Sequence, residues 1–442
     1  MTDTLFRQNL RRDYPVIVRG DGAYVEDRDG RRLLDATSGG VMVANVGHGV
    51  SEIVEAMADQ GHKLSFAFAG LVDNEPALEL ADEVVSAAPD QLGSVFFANT
   101  GTEATETAVK FARLYHLARG NSDKHKVIGR TLSYHGSAFS TMSFGGPSPG
   151  SEFFAPYFLN SPRIPPADCH RCPYGVSYPD CALACATELE KVLLQEGPET
   201  VSCFIAEPVV GRQGGAYVPP PDYFPTIREI CDRYDILWIA DEVVTGFGRT
   251  GKMFAVEHWG VTPDLIAMGK GISGGYAPLA GVLIDDRIRE AVAEFHGRGP
   301  FGYTYGANPV SCAAGLATLG YMKTHGLLQR SEELGVALKD GLQSLDNHPF
   351  VGDVRGLGPL LGIEIVADKG SGEPFDEALQ IATRLADMLY ERGVWLLANQ
   401  GGGKRPGGDF LLVAPPLVTS TDDVSILVDA ISDALDSLRR RL

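Results

Sequence analysis

Along the middle of the chain, short apolar runs alternate with stretches whose apolar residues recur every three or four positions. SVFFANT, KVIGR, VSCFIAEP, ILWIADEV and PDLIAMGK read as buried strands, whereas ATETAVKFARLYHLAR and DYFPTIREICDRYD read as amphipathic helices. In the helix opening after Gly101, the residues Ala104, Ala108, Phe111, Tyr115 and Ala118 share one face and can pack on a sheet. The alternation predicts an α/β fold, a mainly parallel sheet flanked by helices, with ligands gathered at the carboxyl ends of its strands.

The two ends of the chain read differently. Residues 1–55 form a short β-rich arm through AYVEDRDGRRLLDAT, and residues 321–442 alternate helix and strand through LGIEIV, VWLLA and FLLVAPP. Together they are expected to build a smaller α+β domain beside a large domain of residues 56–320. A Gly-, Pro-, Ser- and Cys-rich stretch, residues 144–186, interrupts the large domain as a long irregular loop, and GGGKRPGG forms a second one near the C-terminus.

Composition narrows the class. Hydrophobic residues make up 44% and charged residues 21% of 442 positions, which fits a globular protein of two or three compact units and excludes disordered and fibrous classes. The formal charge of -19, with no long Lys/Arg run, argues against partners such as nucleic acid or anionic membrane. No apolar run approaches the roughly 20 residues that span a bilayer, and MTDTLFRQNLRRDYP lacks a signal-peptide core, so the expected location is cytoplasmic.

Four features then carry chemistry. The strand ILWIA ends in the carboxylate pair Asp241-Glu242, and PDLIAM ends in Gly269-Lys270-Gly271, where flanking glycines leave the amine unobstructed. NTGTEA places Gly101 and Thr102 at a helix start, whose unpaired N–H groups and positive dipole end attract phosphate. LSYHG puts Tyr134 in a loop just after a strand, where a flat ligand can stack. A phosphate cradle, a stacking ring, an acid and a lysine are what pyridoxal 5'-phosphate requires.

In order and spacing, DATSG, NVGHG, NTGTEATETAVKFAR, YHG, AEPVVG, DEVVTGFGRTG, the lysine motif, GYTYGANPVSCAAGLA and VRGLGPLLGIEI span nearly the whole chain. The set resembles the class III pyridoxal-phosphate aminotransferases, the omega-aminotransferase group, and so implies the fold-type I architecture. The resemblance implies that Lys270 carries the cofactor covalently and moves the substrate proton, and that Asp241 holds the protonated pyridine nitrogen. It implies that Val243 and Tyr134 pack on the two ring faces and that Gly101 and Thr102 hold the phosphate. Glu207 would line the O3' side, and Thr304 would reach the phosphate of a neighbouring subunit, which makes a homodimer the minimal active form. His135 and His48 are read as structural or supporting.

The implied activity moves an amino group from an omega-amino acid or primary amine to a 2-oxo acid acceptor such as pyruvate or 2-oxoglutarate. A racemase or a decarboxylating aminotransferase is the alternative on the same fold. Arg405, in GGGKRPGGDFLLVAPP, matches a mobile arginine that pairs with substrate carboxylates in relatives. Arg212, in EPVVGRQGG, departs from the family pattern and either anchors a second carboxylate or faces solvent. Small residues at Gly40 and Val41, where amine-accepting relatives often carry tryptophan, suggest a roomier pocket.

The family pattern does not explain the cysteines. Of seven in the chain, Cys169 and Cys172 are spaced C-x2-C, and Cys181 and Cys185 follow as C-x3-C. Four thiolates on one loop suit a tetrahedral zinc ion or a [4Fe-4S] cluster, and the Cys172-Pro173 step favours iron–sulfur. Such a centre would order the loop after YHG, because transamination moves no free electrons. On the cysteines alone, a zinc-loop interaction or regulatory protein built on an inactive enzyme scaffold also fits; the presence of Lys270 and Asp241 argues against it.

Overall fold

Strands β1 (Ile17–Asp21), β2 (Tyr24–Asp27) and β3 (Arg32–Asp35) form an antiparallel ribbon at the start of the chain. The computed structural model describes residues 4–148, 150–401 and 408–442. The alternating middle of the chain supplies β4 (Ser94–Ala98), β5 (Lys126–Arg130), β6 (Arg163–Ile164), β7 (Val201–Ala206), β8 (Leu237–Asp241), β9 (Leu265–Met268) and β10 (Ala280–Ile284). They assemble as a seven-stranded sheet in the order β4-β10-β9-β8-β7-β5-β6. Neighbours from β9 to β6 run parallel, and β10 is antiparallel to both β9 and β4.

Every residue of β7, β8, β9 and β10 is buried, which is why these segments read as continuous apolar runs rather than alternating ones. The helix Gly101–Ala118 lies on the sheet through Ala104, Ala108, Phe111 and Tyr115, all buried, while Ala118 is half-buried at its end. On another face Phe224 stacks on Trp238 with ring centroids 5.1 Å apart.

The chain ends meet. β13 (Val394–Trp395) pairs in parallel with β3, after β11 (Val351–Leu357) and β12 (Leu360–Ile365) and before β14 (Leu397–Asn399) and β15 (Asp409–Val413). The last four of these without β13 form an antiparallel sheet, β11-β12-β15-β14. Its core joins Ile363, Ile365, Leu411 and Val413 to Leu34 of the first ribbon.

The stretch 144–186 is less irregular than its composition suggests. It holds a 3-10 turn (Ser151–Tyr157) and the short β6, which adds to the free edge of β5. Cys185 lies in the first turn of the Ala184–Glu196 helix, where TELEKVLLQE supplies good helix formers and buries Leu189 and Leu193. Among the described residues no helix is long and apolar enough to cross a membrane.

Candidate active site

Five strands, the neighbours β9, β8, β7 and β5 together with β4 beyond β10, deliver side chains to one edge of the central sheet. At or just beyond their carboxyl ends, β4 leads to Gly101 and Thr102, β5 to Tyr134, β7 to Glu207, β8 to Asp241 and Val243, and β9 to Lys270. All of these line one cavity of about 190 Å³, joined by His135, Gly136 and Val244.

At the helix start, Thr100 Oγ1 accepts from Glu103 N at 3.2 Å, and the Glu103 carboxylate accepts from Asn99 N at 2.7 Å. This reciprocal cap leaves the N–H groups of Gly101 and Thr102 without intrahelical acceptors, as at any helix N-terminus. Glycine is needed at both closest approaches. A Cβ on Gly101 would stand 2.7 Å from Val243 Cγ1, and one on Gly136, at φ +132°, would stand 2.6 Å from Thr102 Oγ1.

The acid is fixed from two sides. Asp241 is buried, accepts from His135 Nδ1 at 2.7 Å on Oδ2, and accepts from Val243 N at 3.1 Å on Oδ1. His135 is itself buried, so the pair sits away from water and the carboxylate cannot swing. In sequence, the adjacency of His135 to Tyr134 in YHG is the one sign of this contact. Glu207 accepts from Tyr134 N at 3.1 Å and from Gly211 N at 3.2 Å, and burial pushes its carboxyl above the usual range.

Lys270 is half-buried and adopts φ +45°, in the left-handed region that a non-glycine residue rarely visits. Burial lowers its amine from 10.5 to about 8; Asp241 and Glu207 oppose that shift, and Arg212 and Arg249 add to it. Glu242 behaves differently from its neighbour. Strand alternation turns it away from the cavity, where Oε1 accepts from Val256 N at 2.9 Å and burial lifts its carboxyl to about 7.

The remaining predicted residues lie apart. Arg212 is exposed, yet its charge is felt at Lys270. Thr304 is exposed and does not line this cavity. Arg405 falls within 402–407, outside the described residues. His48 pairs with buried Asp35 at 2.9 Å. A Cβ on Gly40 would stand 2.9 Å from Trp395 Cζ2, so a tryptophan from β13 takes part of the room that small residues at 40 and 41 leave. Cys169, Cys172, Cys181 and Cys185 gather around a separate, much smaller cavity.

Pyridoxal phosphate fits these residues: an amine that loses its proton near neutral pH, a fixed buried carboxylate, and a glycine-cleared helix N-terminus for a phosphate. With that cavity at the carboxyl edge of a seven-stranded sheet, the protein falls among the fold-type I pyridoxal-phosphate enzymes. Its family is narrower. The family model described as "Aminotransferase class-III" matches residues 8–435, and the chain belongs to the class III aminotransferases.

It is 34% identical to the uncharacterized aminotransferase YodT of Bacillus subtilis (strain 168), over 100% of this chain and 99% of that one. It is 35% identical to the diaminobutyrate–2-oxoglutarate transaminase of Halomonas elongata, over 96% of this chain and 92% of the relative. Its structure resembles that of an (S)-enantioselective omega-transaminase from Thermomicrobium roseum, with a TM-score of 0.91 at 34% identity, covering 97% and 93% of the two chains. The protein is a pyridoxal-phosphate-dependent enzyme of amino-group transfer between an amine donor and an oxo-acid acceptor.

Proposed function

We propose that the donor is an omega-amino acid or primary amine, that the acceptor is a 2-oxo acid such as pyruvate or 2-oxoglutarate, and that Lys270 serves both halves of the exchange. Bound pyridoxal phosphate supplies an aldehyde that takes up the amino group and a ring that accepts an electron pair. The observation that carries the reading is the Lys270 amine, lowered to about 8 inside the cavity that also holds the fixed Asp241 carboxylate. Lys270 holds the cofactor and then removes and returns the substrate's proton at carbon. Asp241, steadied by His135, keeps the ring nitrogen protonated. Gly101 and Thr102 receive the phosphate, Val243 and Tyr134 cover the ring faces, and Glu207 lines the edge beside Tyr134. The Halomonas relative supports the donor class, because diaminobutyrate carries an amine remote from its carboxylate. Supplied with such a donor and 2-oxoglutarate, the protein should form glutamate in step with consumption of the donor; no amino acid formed from any primary amine and oxo acid would refute the reading.

Nucleophilic capture of the cofactor needs the neutral amine. With the Lys270 amine at about 8 rather than 10.5, it is protonated below that value and free above it. The rate at which cofactor-free protein takes up pyridoxal phosphate should therefore climb as pH rises through about 8 and level off beyond it. A rate still rising steeply above pH 9, followed by stopped-flow absorbance, would mean that Lys270 keeps ordinary basicity.

Arg212 and Arg405 are the cations proposed for substrate carboxylates. Arg212→Ala should raise KM for 2-oxoglutarate by about tenfold or more while leaving kcat for pyruvate little changed, the loss expected for one charge-assisted contact. Equal KM for both acceptors in wild type and variant would return Arg212 to a solvent role.

We propose a homodimer with Thr304 reaching a neighbour's phosphate. Exposed Phe68 and Leu78 line a hollow of about 690 Å³ with Phe96, Phe301 and Tyr303, an apolar face suited to a second copy. The working division is a large domain of residues 56–320, which contains the whole central sheet, between end segments 1–55 and 321–442. A cytoplasmic location agrees with seven unbridged cysteines. A metal on the four clustered cysteines, iron–sulfur or zinc, would be structural in this enzyme.

A further inference from the structure

Cys169, Cys172, Cys181 and Cys185 come from two short segments and surround one cavity of about 10 Å³, closed by Tyr178 and Pro220. Local hydrogen bonds set both pairs in place. Asp168 Oδ1 accepts from His170 N and Arg171 N, each at 3.0 Å, folding the first pair into a tight turn. In the second, Cys181 O accepts from Ala184 N at 3.2 Å, so Cys181 and Cys185 straddle the start of the Ala184–Glu196 helix.

All four thiols are free and line this one hollow.

We infer that these four cysteines bind a single Zn²⁺ ion. The hollow holds about one water-sized particle. Among the described residues no three of these sulfurs yet share one ligand shell, so binding draws the two segments in around the ion to the Zn–S distance of about 2.3 Å. A cube of four irons and four sulfides does not fit without displacing Tyr178 and Pro220, so size overrules the iron–sulfur preference drawn from the Cys172-Pro173 step. Uptake is redox-neutral: four Zn–S bonds form as four S–H protons leave to solvent.

A second set, His170, Asp353 and Glu364, has ligand atoms within 4.8 Å of one another, but cations already hold it. Glu364 pairs with Arg171 at 2.8 Å and Arg355 at 3.4 Å, and Asp353 pairs with Arg355 at 3.0 Å. That network gives the zinc its consequence. His170 and Arg171 lie between the first two zinc ligands, and Arg171 reaches the buried Glu364 on β12, in the C-terminal sheet. Arg355 donates onward to Gly214 O at 3.1 Å, in the segment that follows Glu207. The ion thus pins the long loop to the C-terminal sheet beside the active-site segment. This assignment is independent of the amino-transfer reading.

The test uses the full chain with its cofactor, purified without chelators. Metal analysis should find about one zinc per chain, and zinc X-ray absorption should show four sulfur neighbours at about 2.3 Å. Cys169→Ser with Cys172→Ser should lose the zinc and keep bound cofactor. Stripping zinc from wild type should speed tryptic cleavage after Arg171 by about tenfold or more, and added Zn²⁺ should reverse it. Wild-type protein that takes up no Zn²⁺, that holds iron with acid-labile sulfide, or whose zinc has nitrogen or oxygen neighbours would overturn the assignment. If the double variant does not fold, the absorption spectrum of the wild type decides.

Discussion

Lys270→Ala should leave a folded protein whose amino-group transfer is slower by roughly 10⁴-fold or more, because the variant loses both the anchor of the cofactor and the group that moves the proton. Folding should not suffer. The lysine is half-buried, and its desolvation is what lowers the amine to about 8, so removing it relieves a cost instead of breaking a contact. The melting temperature of the cofactor-free variant should equal or exceed that of cofactor-free wild type. A small primary amine added in excess should restore part of the proton transfer, since it supplies the lost base without the tether. Activity within about tenfold of wild type would show that another residue performs these steps.

Asp241→Asn should lower kcat by roughly 10² to 10³ for every donor and acceptor, the range seen when one preorganised electrostatic partner is removed from a dry site. The amide keeps the shape of the carboxylate. Its oxygen can still accept from His135 Nδ1, which lies 2.7 Å from Asp241 Oδ2, so the loss measures charge rather than collapse. His135→Phe should cost less, about tenfold to a hundredfold, since it frees the carboxylate to turn without removing it. The signature separates the two roles from substrate binding: both changes should act on kcat whatever the acceptor, whereas Arg212→Ala should act on KM for the dicarboxylate alone. An Asp241→Asn enzyme with unchanged kcat would remove the acid from the chemistry.

The central sheet was legible because its strands are buried on both faces, so VSCFIA, LWIAD and LIAM carry their own apolar signal. The residues that share the cavity were legible for a related reason: each lies at a strand end or within a few positions of one, where topology delivers ligand contacts. Relations across the chain were less visible. Nothing local distinguishes Asp241 from Glu242; only the strand's alternation turns one into the cavity and the other toward Val256. His135 meets Asp241 from 106 positions away, a contact that no periodicity encodes. Gly40 looked like open space until Trp395 came in from the other end of the chain through the β3–β13 pairing. The cysteine spacing pointed to a metal centre, but the choice of ion depends on the volume enclosed, which only the packing of Tyr178 and Pro220 defines.

The most direct test of the account is to reduce the purified protein with borohydride in the presence of pyridoxal phosphate and map the modified peptide by mass spectrometry. The account predicts one stable cofactor adduct per chain, on Lys270, absent when an amine donor has first been added to excess. An unmodified Lys270, or an adduct carried by a different lysine, would contradict it.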